Sequence, residues 1–169
     1  MVLDFKGFFN GGIREFKIET ELDFSGEEYG GEHILPKPVA VFGKISNKAD
    51  VTHIDLVCKV PIVKSCDRCG KMTAKDLTVN INRVAVNHLE REEDDEILLI
   101  PDEKLDLYEF CFGEILLSLP MKHLCSEDCK GICNRCGTNL NLRTCTCDTR
   151  ELDPRMSVIQ EIFNQFKEV

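Results

Sequence analysis

Long apolar runs are missing from this sequence. No segment approaches the roughly 18 consecutive apolar residues that a membrane-spanning helix requires, so we expect no membrane partner. Residues 1–12 lack the basic start and the stretch of about 7 to 15 apolar residues that are typical of a secretory signal. We therefore expect a cytoplasmic protein, in a compartment where disulfide bonds rarely persist.

Positive charge is also scarce, with 21 Lys and Arg against 30 Asp and Glu and a net charge of −9. The acidic excess is concentrated in residues 90–109, where ten acidic residues stand against Arg91 and Lys104. Because the remainder is nearly balanced, the net charge does not exclude a nucleic-acid partner. The run at 90–96 favours a solvated loop, and an acidic patch that binds a partner is the alternative.

Residues 16–24 alternate strictly between apolar and charged side chains, which predicts a strand with one buried face. Three further segments, joined by short connections, favour an antiparallel sheet or part of a small barrel. The apolar phase changes after Ile81, which predicts a β-bulge there. The four predicted strands cover residues 16–24, 39–45, 52–63 and 73–86.

Two helices complete an α+β fold. Asp106 is placed to cap a helix over residues 107–119, which is apolar on most sides and is therefore expected to lie buried across the sheet. A second helix is predicted to start at Asp153 and Pro154. With 169 residues, the chain is expected to form a β-rich domain with the packed helix over 1–120, and a zinc-binding region with the final helix over 121–169. The two parts can pack as one domain.

Ten cysteines in a reducing compartment point to metal rather than to disulfides. Two of the cysteine pairs form Cys-x-x-Cys-Gly knuckles, in which two thiolates converge on one ion and the glycine takes a backbone conformation that other residues resist. Cys58 and Cys111 are expected to be buried as small hydrophobic residues. The remaining eight are the predicted metal ligands: Cys66, Cys69, Cys125, Cys129, Cys133, Cys136, Cys145 and Cys147.

Eight thiolates complete two tetrahedral sites. We expect one site from the pairs 66/69 and 125/129, and a compact second site from 133/136 and 145/147, with residues 139–141 forming the turn between those two pairs. The swapped arrangement, in which the two knuckles share one ion, and a single occupied site remain open. All-sulfur coordination selects zinc or an iron–sulfur cluster. Zinc is favoured because no four-cysteine ferredoxin spacing is present.

Basic residues lie close in sequence to the cysteines and either offset the thiolate charge or contact phosphates. His123 is the histidine nearest to the cysteines, and we interpret it as a surface residue or a substitute ligand rather than a catalytic base. We predict no enzymatic activity, no catalytic residue and no small-molecule substrate. A thiol oxidoreductase remains the least favoured alternative, because neither knuckle opens a predicted helix. The basic residues in question are Arg68, Lys71, Lys122, Lys130, Arg135 and Arg143.

The second half of the sequence resembles the C-terminal signature of the YceD family, the bacterial and plastid proteins called large ribosomal RNA subunit accumulation proteins. The similarity rests on Ile-Leu-Leu-Ser-Leu-Pro at 115–120, Cys-Lys-Gly-Ile-Cys at 129–133, Cys-Gly-Thr-Asn-Leu-Asn at 136–141, Cys-Thr-Cys at 145–147 and Asp-Pro-Arg at 153–155. All eight predicted metal ligands fit the family pattern. The resemblance implies a role in producing or maintaining large-subunit ribosomal RNA, without known enzymatic chemistry.

The leading hypothesis is a zinc-binding ribosome-biogenesis factor that contacts precursor large-subunit rRNA or a ribosomal protein. The alternative is a protein-interaction module unrelated to RNA, in which zinc only staples the fold and the acids at 90–96 attract a basic partner.

Overall fold

The computed structural model describes residues 1–48, 51–88 and 97–147. The acidic run at 90–96 and the helix predicted from Asp153 lie outside the described residues. The chain divides into two compact units. The first, called the sheet unit, comprises Met1–Ser65 and Met72–His123; the second, called the cysteine unit, comprises Cys66–Lys71 and Leu124–Val169.

In its described residues the sheet unit is mostly antiparallel β structure with two helices, as the α+β prediction expected in outline. Its five-stranded sheet has the order β2-β3-β4-β5-β6, and its last pair, β5 with β6, is parallel, so the sheet is mixed. A separate two-stranded sheet pairs β1 with β7. The elements are β1 (Val2–Asp4), α1 (Lys6–Phe9), β2 (Glu15–Leu22), β3 (Val39–Lys48), β4 (Val51–Ser65), β5 (Met72–Val86), β6 (Ile97–Leu99), β7 (Lys104–Asp106) and α2 (Leu107–Ser118).

One face of the large sheet carries the hydrophobic core. Alternate residues of its strands point into this core, as the alternation over 16–24 predicted for the first of them. In β4, for example, Ile54, Leu56 and Cys58 are all buried. Cys58 and Cys111 both belong to this core and are fully buried, as expected for small hydrophobic residues.

The predicted β-bulge is wrong. Strand β5 pairs with β4 residue for residue over 72–85, without an extra residue on either side. The apolar phase changes because Arg83 occupies an inward position, in line with Ile81. Its guanidinium donates two hydrogen bonds of 3.0 Å to the Glu114 carboxylate of α2, so a charged residue is accommodated on the inner face without a break in the strand.

Helix α2 begins where the sequence predicted, with the Asp106 carboxylate accepting a hydrogen bond of 2.9 Å from the Tyr108 backbone N–H. It packs against β4 and β5 of the large sheet, as expected, but not all of its apolar side chains are buried. Only one stripe, Leu107, Cys111 and Ile115, is fully buried, and Leu117 is 81% exposed. Among the described residues, neither helix has the length and apolar character needed to cross a membrane.

Candidate metal centres

The first knuckle, Cys66 to Lys71, is a tight hairpin-like turn. The Cys66 backbone N–H donates to the Lys71 carbonyl at 2.9 Å, and the Gly70 N–H donates to the Cys66 carbonyl at 2.8 Å. Gly70 has a φ of +69°, which lies in the left-handed region that residues other than glycine rarely adopt. The turn therefore aims the sulfur atoms of Cys66 and Cys69 to the same side.

The second knuckle repeats this geometry. The Cys133 backbone N–H donates to the Thr138 carbonyl at 2.8 Å, and the Gly137 N–H donates to the Cys133 carbonyl at 2.9 Å. Gly137 has a φ of +70°. The left-handed glycine that the sequence predicted after each Cys-x-x-Cys pair is thus confirmed in both knuckles.

Four cysteines meet in the first cluster. The Sγ atoms of Cys66 and Cys129 lie 3.8 Å apart, those of Cys69 and Cys125 lie 3.7 Å apart, and all four lie within 4.8 Å of one another. A disulfide would require about 2.05 Å. A tetrahedron of sulfurs about 2.3 Å from a central ion has edges of about 3.8 Å, so the donor set fits a single metal ion. Three of the four residues are buried and Cys125 is half-buried.

The second cluster is formed by Cys133, Cys136, Cys145 and Cys147, whose Sγ atoms also lie within 4.8 Å of one another. It is more accessible than the first cluster, because only Cys133 is buried and Cys136 is exposed. The structure thus groups the eight cysteines into the two sets predicted from the sequence, and it does not bring the two knuckles together in the swapped arrangement. Each set can hold a metal ion.

In the first cluster the thiols differ in acidity. Burial raises the pKa of Cys66, but hydrogen bonds from the backbone N–H groups of Cys125, Arg68 and Cys69 outweigh burial, so the pKa falls to about 6. The pKa of Cys125 rises to about 11, because its thiol shares a hydrogen bond with Cys129 and is also desolvated. One thiol is therefore ready to bind a metal, whereas another must first lose its proton.

The second cluster has the same division. The side chain and backbone of Thr138 lower the pKa of Cys136 to about 6. The pKa of Cys147 rises to about 12, because its thiol shares a hydrogen bond with Cys136 and is desolvated. Four neighbouring thiols do not ionise together unless a cation offsets their charge. Both clusters are therefore suited to a soft divalent cation that displaces protons when it binds.

Arg68 has a structural use within the cysteine unit. Its Nη1 donates to the Glu127 carbonyl at 3.3 Å and to the Cys129 carbonyl at 3.0 Å. The segment that carries Cys129 is also packed closely against Arg68, since a Cβ on Gly131 would lie 3.0 Å from the Arg68 carbonyl oxygen. The sequence left open whether Arg68 offsets thiolate charge or contacts phosphate, and the structure shows it bonded to backbone carbonyls next to the first cluster.

Asn141 is a site residue that sequence reasoning missed. Its Nδ2 donates to the Cys129 Sγ at 3.3 Å, and its Oδ1 accepts from the Lys130 backbone N–H at 2.8 Å. The sequence placed Asn139, Leu140 and Asn141 in a turn of the second site. The only signal was the pair of asparagines, whose amides can bond to nearby backbone groups and thiolates.

The interpretation of His123 as a surface residue is wrong. Its side chain is 1% exposed, and its Nε2 lies 2.7 Å from the Thr73 Oγ1 within the sheet unit. It belongs to neither cysteine cluster. Its burial follows from the packing of the segment after α2 in the sheet unit, which sequence spacing does not reveal.

The family model for the large ribosomal RNA subunit accumulation protein YceD matches residues 54–163, about two thirds of the chain. The chain belongs to the YceD family. The matched region includes both knuckles and all eight cysteines of the two clusters. The clusters therefore lie within the part of the chain that defines this YceD-family protein.

Three relatives differ in how much of the YceD-family chain they share. A protein of Arabidopsis thaliana, the chloroplastic large ribosomal RNA subunit accumulation protein YCED homolog 1, is 25% identical, and the similarity covers 69% of this chain but 46% of the relative. YlbN of Bacillus subtilis is 23% identical over 76% of each chain. A Mycobacterium leprae protein is 27% identical over 47% of this chain and 39% of its own. No solved structure was found to match the chain.

Proposed function

We propose that this protein is a non-enzymatic zinc-binding factor for the accumulation of large-subunit ribosomal RNA, which acts in ribosome biogenesis by binding precursor rRNA or a ribosomal protein. Membership of the YceD family supports the role in rRNA accumulation. The observation that carries the molecular part is the pair of four-cysteine clusters in the cysteine unit. All eight cysteines named from the sequence are the proposed ligands.

The sulfur spacing supports a single ion, such as zinc, rather than an iron–sulfur cluster. An iron–sulfur cluster places several iron and sulfide atoms between its thiolates and separates them further than a single ion does. The distances of 3.7 and 3.8 Å in the first cluster suit one tetrahedral ion with four sulfur ligands. Elemental analysis of native protein purified without oxygen tests this assignment, and we expect two zinc ions per chain. Iron with acid-labile sulfide would contradict it.

Four thiolates fill the coordination sphere of a zinc ion and leave no position for substrate, so the proposed ions hold structure rather than perform chemistry. Function then depends on the surface of the region that the ions stabilise. In the described part of the cysteine unit, Lys71, Lys130, Arg135 and Arg143 are basic residues with exposed side chains. These side chains are suited to contact phosphates of precursor rRNA.

Sedimentation from growing cells tests the biological role. We expect the protein to sediment with precursors of the large subunit, and we expect its depletion to lower large-subunit rRNA relative to small-subunit rRNA. A protein that stays in the free fraction throughout growth would contradict the proposal.

Crosslinking in cells followed by sequencing of attached RNA separates an RNA partner from a protein partner. If RNA is bound directly, the double substitution Arg135→Glu and Arg143→Glu should reduce crosslinked RNA at least about fivefold, because two phosphate contacts become repulsive. Lys17→Glu with Lys37→Glu makes the same charge change on the sheet unit and serves as the control. If the two double variants crosslinked equal amounts of RNA, this result would favour a ribosomal protein as the partner.

A second candidate follows from the ten acidic residues in 90–109. In this case the protein is an interaction module unrelated to RNA, which attracts a basic protein through the acids at 90–96 and uses zinc as a staple. Neutralising those acids should then abolish capture of the partner, whereas reversing Arg135 and Arg143 should not.

A further inference from the structure

The two cysteine clusters share one short piece of backbone. Cys129 belongs to the first cluster and Cys133 to the second, so only the residues at 130–132 separate a ligand of one from a ligand of the other. Gly131 in this piece has a φ of +75°, which turns the chain sharply between the two clusters. If one cluster orders this piece of backbone, it therefore also restricts a cysteine of the other cluster.

Asn141 forms a second link between the clusters. It lies in the loop between Cys136 and Cys145, both ligands of the second cluster, yet its amide contacts the first. The Nδ2 donates to the Cys129 Sγ at 3.3 Å, and the Oδ1 accepts from the Lys130 backbone N–H at 2.8 Å. One side chain thus fixes both the sulfur of Cys129 and the backbone that follows it.

The loop that carries Asn141 is itself held against the shared backbone. The Leu140 N–H donates to the Gly131 carbonyl at 2.9 Å, and Ile132 pairs with Asn139 in an isolated antiparallel bridge. The Asn139 Oδ1 accepts from both the backbone N–H and the Nδ2 of Asn141 at 2.9 Å. The Asn141 amide is therefore positioned by Asn139 and by the loop's contacts with the shared backbone, in addition to its own contact with Cys129.

We propose that Asn141 couples the loading of the two metal sites, because an ion at the second cluster orders the loop that aims the Asn141 amide at Cys129 in the first. A hydrogen bond to a metal-bound thiolate offsets part of the charge of four sulfurs around one divalent ion and fixes the ligand's orientation. The first site thus binds its ion more tightly when the second is filled, and by linkage the reverse also holds. This inference rests on the proposed metal binding.

Metal titration of the full chain tests the coupling, with Zn²⁺ in competition with a chromophoric chelator and with ¹¹³Cd²⁺ to resolve the two sites by NMR. We expect Asn141→Ala to weaken the first site about tenfold, the usual cost of losing an outer-shell partner of a ligand. Asn134→Ala is the matched control, since Asn134 is exposed in the second knuckle and its side chain has no hydrogen bond within the described residues. Far-UV circular dichroism verifies that the sheet unit is folded in each variant.

The same substitution in a chain whose second site is disabled separates coupling between the sites from an effect of Asn141 on the first site alone. The double substitution Cys145→Ser and Cys147→Ser disables the second site, and we expect it to weaken the first site by itself. Asn141→Ala should then add less than about twofold, because the loop is no longer ordered. An equal loss from Asn141→Ala in both backgrounds, or no difference from Asn134→Ala, would overturn the coupling while leaving metal binding intact. A wild-type chain that binds no metal would instead remove the proposed function, and the coupling with it.

Discussion

Gly43 of β3 lies opposite Leu56 of β4, where the two backbones approach closely. A Cβ at this position would overlap the Asp55 carbonyl oxygen and lie 2.8 Å from the Leu56 Cα, both of which are backbone atoms that cannot rotate away. The φ of +155° also disfavours other residues. We therefore expect Gly43→Ala to lower the free energy of unfolding of the sheet unit by more than about 2 kcal/mol, measured by urea denaturation.

Gly113 provides the control for this substitution. It lies in α2, where an added Cβ meets no atom within 4 Å. Gly113→Ala should raise the stability by about 0.5–1 kcal/mol, because alanine has the higher helix propensity. If both substitutions had the same effect, the backbone contact at Gly43 would not explain its presence.

The unequal acidity of the thiols predicts how metal affinity depends on pH. Cys125 and Cys147, with pKa values of about 11 and 12, are protonated at neutral pH and must release those protons to a bound ion. Each displaced proton weakens the apparent affinity about tenfold per unit that the pH falls below these values. Between about pH 8 and pH 7 we therefore expect the affinity for Zn²⁺ to fall by at least about tenfold at each site, and by more at the second site, where the pKa of Cys145 is also raised.

Proton release during the titration gives a direct measurement of this effect. Adding Zn²⁺ to weakly buffered protein should acidify the solution by at least one proton per ion. The variant Cys147→Ser should release fewer protons in total than wild type, because the thiol at the second site with the highest pKa is missing. An affinity that does not change with pH would show that the thiols are already ionised before metal binds.

The members of the two cysteine clusters could be predicted residue by residue, whereas Asn141 and Gly43 could not. Cys-x-x-Cys spacing indicates that the two thiolates of a knuckle converge, and the eight cysteines left after Cys58 and Cys111 form two sets of four. Asn141 acts through a contact with Cys129, 12 positions away, in a fold that the sequence does not display. Gly43 depends on the neighbouring strand, so its own sequence neighbours carry no signal.

Helix α2 is an element whose start depends on one side chain. The Asp106 carboxylate accepts from the Tyr108 N–H, and that hydrogen bond is the main reason why its pKa lies below the usual value. A lowered folded-state pKa means that the stability from ionised Asp106 is fully present above about pH 4 and is lost as the pH falls through the lower folded value. We expect Asp106→Ala to lower the midpoint of thermal unfolding at pH 7.

Asp106→Asn is the matched variant, because its amide oxygen can still accept from the Tyr108 N–H but carries no charge. It should lose less stability than Asp106→Ala at pH 7. The difference between wild type and Asp106→Asn should shrink as the pH is lowered below about 4, where the native carboxylate becomes protonated. A difference that stays constant with pH would mean that the charge of Asp106 does not contribute.

Elements with a long periodic pattern were predictable, and short ones were not. The four predicted strands correspond to β2, β3, β4 and β5, with ends that differ by no more than three residues. Strands β1, β6 and β7 have three residues each, too few for alternation to register. The bulge was wrong because periodicity cannot distinguish an inward Arg83, satisfied by Glu114, from a break in the strand.

At the scale of the molecule, the two units differ in what holds them together. The sheet unit has a continuous apolar core of strand and helix residues. Within the described part of the cysteine unit, the buried cluster consists of Cys66, Cys69 and Cys129, with Leu124 and Cys125 packed against it. This apolar cluster is too small to offset the conformational entropy that is lost when the cysteine unit becomes ordered. The proposed ions therefore supply the missing stability.

Removal of the proposed ions should therefore unfold one unit and spare the other. After treatment of the full chain with a strong zinc chelator under reducing conditions, we expect amide hydrogen exchange at 124–147 to become at least about a hundredfold faster, since structural zinc contributes on the order of 10 kcal/mol to such folds. Exchange in β4 and β5 away from the knuckle should change by less than about threefold, because their protection comes from the apolar core.

Mass spectrometry of the exchanged peptides measures both regions in one sample, and re-addition of Zn²⁺ should restore the protection. If β4 and β5 lost protection together with 124–147, the metal would stabilise the whole chain cooperatively, and the division into separately stabilised units would be wrong.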